Sequence, residues 1–145
     1  MRRSAAIASS LALGAALAAC AGTAQLSSPA VAGGATPDAT GTVAVSVPLE
    51  WPAYDVVNHT GPVTYEVRVW EAKDGLPREE AARVDGIRGN ALSLAVRLPQ
   101  GDHVWSVRAH FVRDGWPCVS GWYSIGRSAD DRLLPRRAFA PLAVR

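Results

Sequence analysis

Apolar residues recur at every second position along most of the stretch from Val43 to Ile125. Val43, Val45, Val47, Leu49 and Trp51 alternate with Ala44, Ser46, Pro48 and Glu50. Period two over such a run is the mark of a strand with one buried face. Pro48 has no N–H to give to a ladder, so it predicts an edge position or a break between two short strands. Val63, Tyr65, Val67 and Val69 then alternate with Thr64, Glu66, Arg68 and Trp70, a β-branched and aromatic mixture that strands favour. Asn58–Pro62 reads as a turn before this run and Lys73-Asp74-Gly75 as a turn after it.

Two more runs follow. Leu92, Leu94, Val96 and Leu98 alternate with Ser93, Ala95 and Arg97, and Pro99–Asp102 breaks the pattern. Trp105, Val107, Ala109 and Phe111 then alternate with Ser106, Arg108 and His110, ahead of a turn at Asp114-Gly115. Gly121–Ile125 reads as a last short strand, which places Asp114–Gly121 in a loop. Residues 76–86 show the one helical tendency, through Pro77-Arg78-Glu79-Glu80-Ala81-Ala82, enough for a single turn. Short strands at these intervals predict an all-β, antiparallel β-sandwich.

The ends of the chain are different in kind. Arg2 and Arg3 precede an uncharged run from Ala5 to Ala19, which is too short for a permanent transmembrane helix and suits the apolar core of an export signal. The run closes on Leu17-Ala18-Ala19-Cys20, which resembles a bacterial lipoprotein lipobox. That resemblance implies removal of residues 1–19, acylation of Cys20 and a protein held by lipid in the cell envelope. Ala21 after the acylated Cys resembles the outer-membrane sorting preference, so the outer membrane, facing the periplasm, is the expected address. Residues 20–41 are small and polar and read as a disordered tether, with a reach of roughly 25 Å. The domain spans 42–126, and 127–145 reads as a basic, solvated extension.

Charge changes meaning once the signal is set aside. The full chain has 15 Lys and Arg against 13 Asp and Glu. The signal holds two Arg and no acid, so the remainder is balanced and gives no reason to expect nucleic acid as a partner. Five Arg and two Asp in 127–145 are a weak attraction for anionic lipid or polymer.

The strand runs resemble a fibronectin type III domain. Val47-Pro48-Leu49-Glu50-Trp51 is similar to that family's second strand, and Tyr65-Glu66-Val67-Arg68-Val69 to its third. The stretch from Leu98 to Ala109 is similar to the entry of its sixth strand, and Ser120–Ser124 to the start of its last. The resemblance implies a sandwich and no particular activity. His103 stands where the family has a Tyr whose hydroxyl bonds back to the chain.

Candidate chemistry is sparse. His59, His103 and His110 show no close metal-ligand spacing, and neither metal nor cofactor is expected. His103 and His110 are seven apart, so a regular strand turns them to opposite faces. Cys118 is the one Cys left after Cys20 is acylated; with His110 and Asp114 it could form a nucleophile, base and orienter, the basis of a small thiol-dependent hydrolase. The aromatic content says more. Among the five Trp, Trp51 and Trp105 fall on the inward phase. Arg68 and Arg108 fall on the outward phase of strands that are neighbours in the resembled fold, and that shared face together with the resemblance implies a stack with Trp122. Arg68, Trp70, Arg108, Trp122 and Tyr123 make up the candidate binding surface for a protein or glycan, with a purely stabilising ladder as the other reading. The expected function is a lipid-anchored, non-enzymatic envelope protein; the alternatives are the hydrolase or an inhibitor of a wall-degrading enzyme that uses the Asp114–Gly121 loop.

Overall fold

The computed structural model describes residues 26–28, 31–32, 36–123 and 138–145. The signal, Cys20 and the arginine-rich stretch 127–137 lie outside the described residues. In chain order the strands are β1 (Val31–Ala32), β2 (Thr42–Glu50), β3 (His59–Lys73), β4 (Leu76–Ile87), β5 (Ala91–Pro99), β6 (Gly101–Arg113), β7 (Trp116–Val119) and β8 (Ala140–Val144). No helix occurs among the described residues.

Strand β2 pairs with β5 without interruption from Thr42↔Pro99 to Glu50↔Ala91. The other sheet runs β1–β8–β6–β3–β4. Strand β7 joins β6 on the edge that β8 also uses, β8 covering Gly101–Trp105 and β7 covering His110–Arg113. All pairs are antiparallel except β1 with β8. Two turns fix the long hairpins. Asp74-Gly75 and Asp114-Gly115 each place both residues at positive φ, between 52° and 80°. That is the two-residue turn whose twist matches antiparallel strands, and Gly tolerates its second position without a Cβ clash.

The two sheets face each other across one core, consistent with a β-sandwich. Val43, Val45, Val47 and Leu49 of β2 and Leu94 and Leu98 of β5 meet Tyr65, Val67 and Val69 of β3 and Trp105, Val107 and Ala109 of β6. Trp51 and Trp105 meet edge to face, with centroids 6.4 Å apart, the geometry that aromatic quadrupoles prefer. The Trp105 indole N–H donates to Ser28 Oγ at 2.9 Å. Pro48 sits where its missing N–H costs nothing. Glu50 exchanges backbone hydrogen bonds with Ser27 on the side away from β5, and Pro48, two residues earlier, presents its amide position to that same edge.

Several sequence expectations are corrected. Residues 76–86 are strand β4, not a helical turn; Asp74-Gly75 folds them back on β3, and the pairing outweighs a weak helical propensity. The last β-hairpin strand is Trp116–Val119, directly after its turn, so Cys118 lies in a strand and not in a loop. Pro117 is tolerated there because Ser120 donates its N–H to Ala109 and the intervening alternation turns Pro117 outward.

The tether and the tail are also partly built into the fold. Ser27 bridges Glu50, and Val31–Ala32 pairs with β8. Asp38 accepts hydrogen bonds from Thr40 and Thr42 and binds Arg97 at 2.6 Å. The expected solvated extension ends in β8, whose Leu142 and Val144 are fully buried. We therefore expect Leu142→Ala to destabilise the protein by about 2–5 kcal/mol in chemical denaturation, whereas a solvated tail would tolerate the change.

Candidate binding surface

Glu66, Arg68 and Trp70 alternate along β3 with the core residues Tyr65, Val67 and Val69, so they face away from the interior. Register places Arg108, Ser106 and Val104 of β6 opposite them, and His110 opposite Thr64. On the other side Arg83 and Glu80 of β4 oppose Arg68 and Trp70. The outer face of the sheet thus carries a row of side chains of alternating charge.

Glu66 is the centre of this row. Its side chain is only 3% exposed. The carboxylate accepts from Arg68 Nε on one oxygen, and from Arg108 Nε at 2.6 Å and His110 Nε2 at 2.8 Å on the other. Arg68 also reaches Glu80 at 3.0 Å, and Glu80 takes two further bonds from Arg83. Burial pushes the Glu66 carboxyl up, but the hydrogen bonds from Arg108, His110 and Arg68 outweigh it and hold the group at about 2, below its ordinary 4.5.

Trp122 covers this row. The guanidinium carbons of Arg68 and Arg108 lie 5.1 and 4.6 Å from its ring centroid, within cation–π range. Its other neighbour is Trp70, perpendicular at 4.9 Å, and Trp70 in turn meets Phe139 edge to face at 5.4 Å. Phe139 comes from the segment expected to be a free tail.

Of the residues grouped as a binding surface, Arg68, Arg108 and Trp122 come together and two others do not join them as exposed groups. Trp70 has the outward phase but is buried beneath Trp122 and Phe139. Tyr123 turns inward and belongs to the core. Its hydroxyl donates to the Pro52 carbonyl, and burial, then the neighbouring Tyr65 and Tyr54, push its phenol up to about 12. Glu66, Glu80, Arg83 and His110 complete the row; Glu66 and Arg83 were not singled out from sequence, and His110 was, but as the base of a thiol hydrolase. The outward phase of Glu66 between two aligned arginines was the available signal.

The hydrolase arrangement is not assembled. Cys118 pairs with Phe111 and His110 with Val119, so the thiol and the imidazole lie on opposite faces of the sheet. His110 Nε2 is already engaged by Glu66. His103 is buried; it donates from Nδ1 to Gly101 O at 3.2 Å, and its Nε2 has no hydrogen-bond partner among the described residues. A shallow open depression of about 380 Å³ is lined by Ser27, Glu50, Trp51, Pro52, Asn90 and Ala91, with Glu50 as its single ionisable group. Among the described residues, no three His, Cys, Asp or Glu are placed to hold a metal ion.

The Glu66 network has a pH signature. A carboxyl with a lowered folded pKa adds stability that is complete above its unfolded value and is lost as pH falls through the folded one. For Glu66 that window runs from about 4.5 down to about 2. Glu66→Gln should cost roughly 1.5–3 kcal/mol at pH 7 and make the acid limb of the stability curve shallower. The limb should not flatten fully, because Asp38, through its Thr40 hydrogen bonds, and Glu80, through Arg83, are also held low. Urea denaturation from pH 7 to pH 2 measures both effects.

No protein-family model, curated protein or solved structure matches this chain.

Proposed function

We propose that this is a lipid-anchored, non-enzymatic protein of the bacterial cell envelope whose fibronectin type III-like sandwich serves contact with a protein or glycan. The observation that supports the non-enzymatic part is the state of the dense ionisable cluster that the described residues form on the sheet. Its central carboxylate is occupied by Arg68, Arg108 and His110, and Trp122 lies across both guanidinium groups. Groups committed to one another in this way act as a stabilising ladder. What the ladder leaves accessible is its rim, where the side chains of Arg83 and Glu80 are 43% and 35% exposed.

The fibronectin-like reading draws support from chain order. Strands β2 and β5 form one layer, and β3, β6 and β7 are successive neighbours in the other, as the second, fifth, third, sixth and seventh strands of that family would be. The short pairing of Ser27 on β2 supplies a remnant of a first strand. The address rests on Arg2-Arg3, the apolar run and Leu17–Cys20, with the outer membrane suggested by Ala21.

Mass spectrometry of the N-terminal peptide tests the anchor. The expected result is a chain that begins at an acylated Cys20 and fractionates with membranes, and a Cys20→Ser protein that carries no acyl group. An unmodified Cys20 within an intact leader would overturn the reading.

A further inference from the structure

Every large hydrophobic side chain that is exposed among the described residues lies toward one end of the molecule. These are Val57 at 67%, Val112 at 36%, Trp116 at 74% and Val119 at 50% exposed. Strand direction brings them together. Strand β2 runs toward Glu50, the segment 51–58 leads from there into β3 at His59, and His59 pairs with Arg113 beside the Asp114-Gly115 turn. Val57 and the Trp116 hairpin tip therefore lie at the same end of β3 and β6, the end from which the β2–β3 connection arrives. The opposite end carries the Asp74-Gly75 turn and the ion pair Asp102–Arg145.

The N-terminal segment leaves from the same apolar end. Ser27 pairs antiparallel with Glu50, so the chain runs away from this end as it passes Leu26–Ser28, and Leu26 is the residue of the three nearest that end. Only residues 21–25 separate Leu26 from Cys20. Fully extended, that connection spans roughly 20 Å. Strand β3, Val57's successor, covers His59–Lys73 and is roughly 45 Å long at 3.3 Å per residue. A lipid on Cys20 can thus bring the Glu50 end to a bilayer without reach to spare for the other end.

This end is also held rigid. Tyr123 donates to Pro52 O, and Tyr65 Oη accepts from Tyr54 N at 2.8 Å. Tyr54 stacks on Phe111 at 5.9 Å, and the Arg113 guanidinium carbon lies over the Phe111 ring, 5.5 Å from its centroid. The charges at this end, among them Glu50, Asp55, Arg113 and Asp114, are mixed in sign, so burial of apolar surface and not attraction to anionic lipid is what such a tip offers. Trp is the side chain that best suits the headgroup level of a bilayer.

From these observations, and resting on the acylation of Cys20, we infer that Trp116 and Val57 seat this end of the domain in the interfacial layer of the membrane that holds the lipid. The domain then stands upright with the Asp74 and Asp102 end outward, and the lipid and the Trp tip act as two joint attachments. The lipid holds the chain to the bilayer, and the second contact fixes how the domain stands on it.

The test uses the full chain, purified from envelopes in detergent and reconstituted into phosphatidylcholine vesicles with or without brominated acyl chains. We expect brominated lipid to quench part of the tryptophan emission, that part to disappear in Trp116→Ala, and salt to leave it unchanged. Trp116→Ala should keep the far-UV spectrum of the parent, since the side chain is exposed. The mass of the N-terminal peptide is read on the same sample. Acylated Cys20 with Trp116 unquenched by bromine and open to acrylamide would overturn the docking and leave the anchor standing. Bromine quenching without an acyl group would keep the docking surface and remove the anchor. Protection of Trp116 from acrylamide only in whole envelopes, with no bromine quenching, would assign the tip to a protein or glycan and overturn the proposal.

Discussion

A carboxylate set into a sheet with almost none of its surface in water has to find donors on every side, and the outer face of β3 and β6 is organised by that need at Glu66. An isolated buried charge costs several kcal/mol. Three donors, two of them guanidinium groups, offset that cost here. Once Arg68 and Arg108 are drawn to one anion, their planes lie side by side, and a flat apolar group can cover both. Trp122 does so. Each cation–π contact contributes only about 0.5–1 kcal/mol, but the indole also excludes water from the ion pairs, and a carboxylate–guanidinium bond strengthens as its surroundings dry. The centre of the second sheet is therefore covered on both faces, by the apolar layer of β2 and β5 within and by Trp122, Trp70 and Phe139 without.

That covering ties the last segments of the chain to the middle of it. Phe139 packs on Trp70, Ser106 Oγ donates to Ala138 O at 2.6 Å, and β8 continues from there along the edge of β6. Strand β1 then pairs with β8 in parallel. The N-terminal segment contacts both layers, through Ser27 on β2 and Val31–Ala32 on β8. Segments that look expendable by composition thus close edges that would otherwise present unpaired N–H and C=O groups.

Legibility from sequence followed how one-sided each segment's environment is. The runs Val43–Trp51 and Leu92–Leu98 bury one face and expose the other, and their alternation was plain. Strand β4 was misjudged because its residues are mostly exposed or half-buried, so no buried face printed itself on Leu76–Ile87. Strand β8 is five residues long, and its pattern drowned among five arginines of the stretch 127–145. The Arg68–Trp122–Arg108 stack was readable from the outward phase of the two arginines together with the family resemblance, which set their strands side by side. The same logic argues against grouping Tyr123 with Trp122, since adjacent residues of an extended chain point to opposite sides. Trp70 shows the complementary limit: phase tells which face a side chain takes, and only the folded chain tells that Trp122 and Phe139 lie on top of it.

The two ends of the molecule differ for a reason that begins with chain direction. The β2–β3 connection must cross from one layer to the other, and it does so at the end where the N-terminal segment enters. Tyr54, Tyr65 and Tyr123 hold that crossing with backbone hydrogen bonds and stacking. A crossing fixed in this way can carry an apolar residue such as Val57 outward without folding it back into the core. The Asp114-Gly115 turn does the same for Trp116, because a two-residue turn leaves its flanking side chains no room to curl under. A contiguous exposed apolar patch marks a place of contact, and here rigidity, chain entry and the exposed apolar side chains coincide at one end while the ladder occupies a broad side. The end where the chain enters and the rim of Arg83 and Glu80 are thereby separated in space.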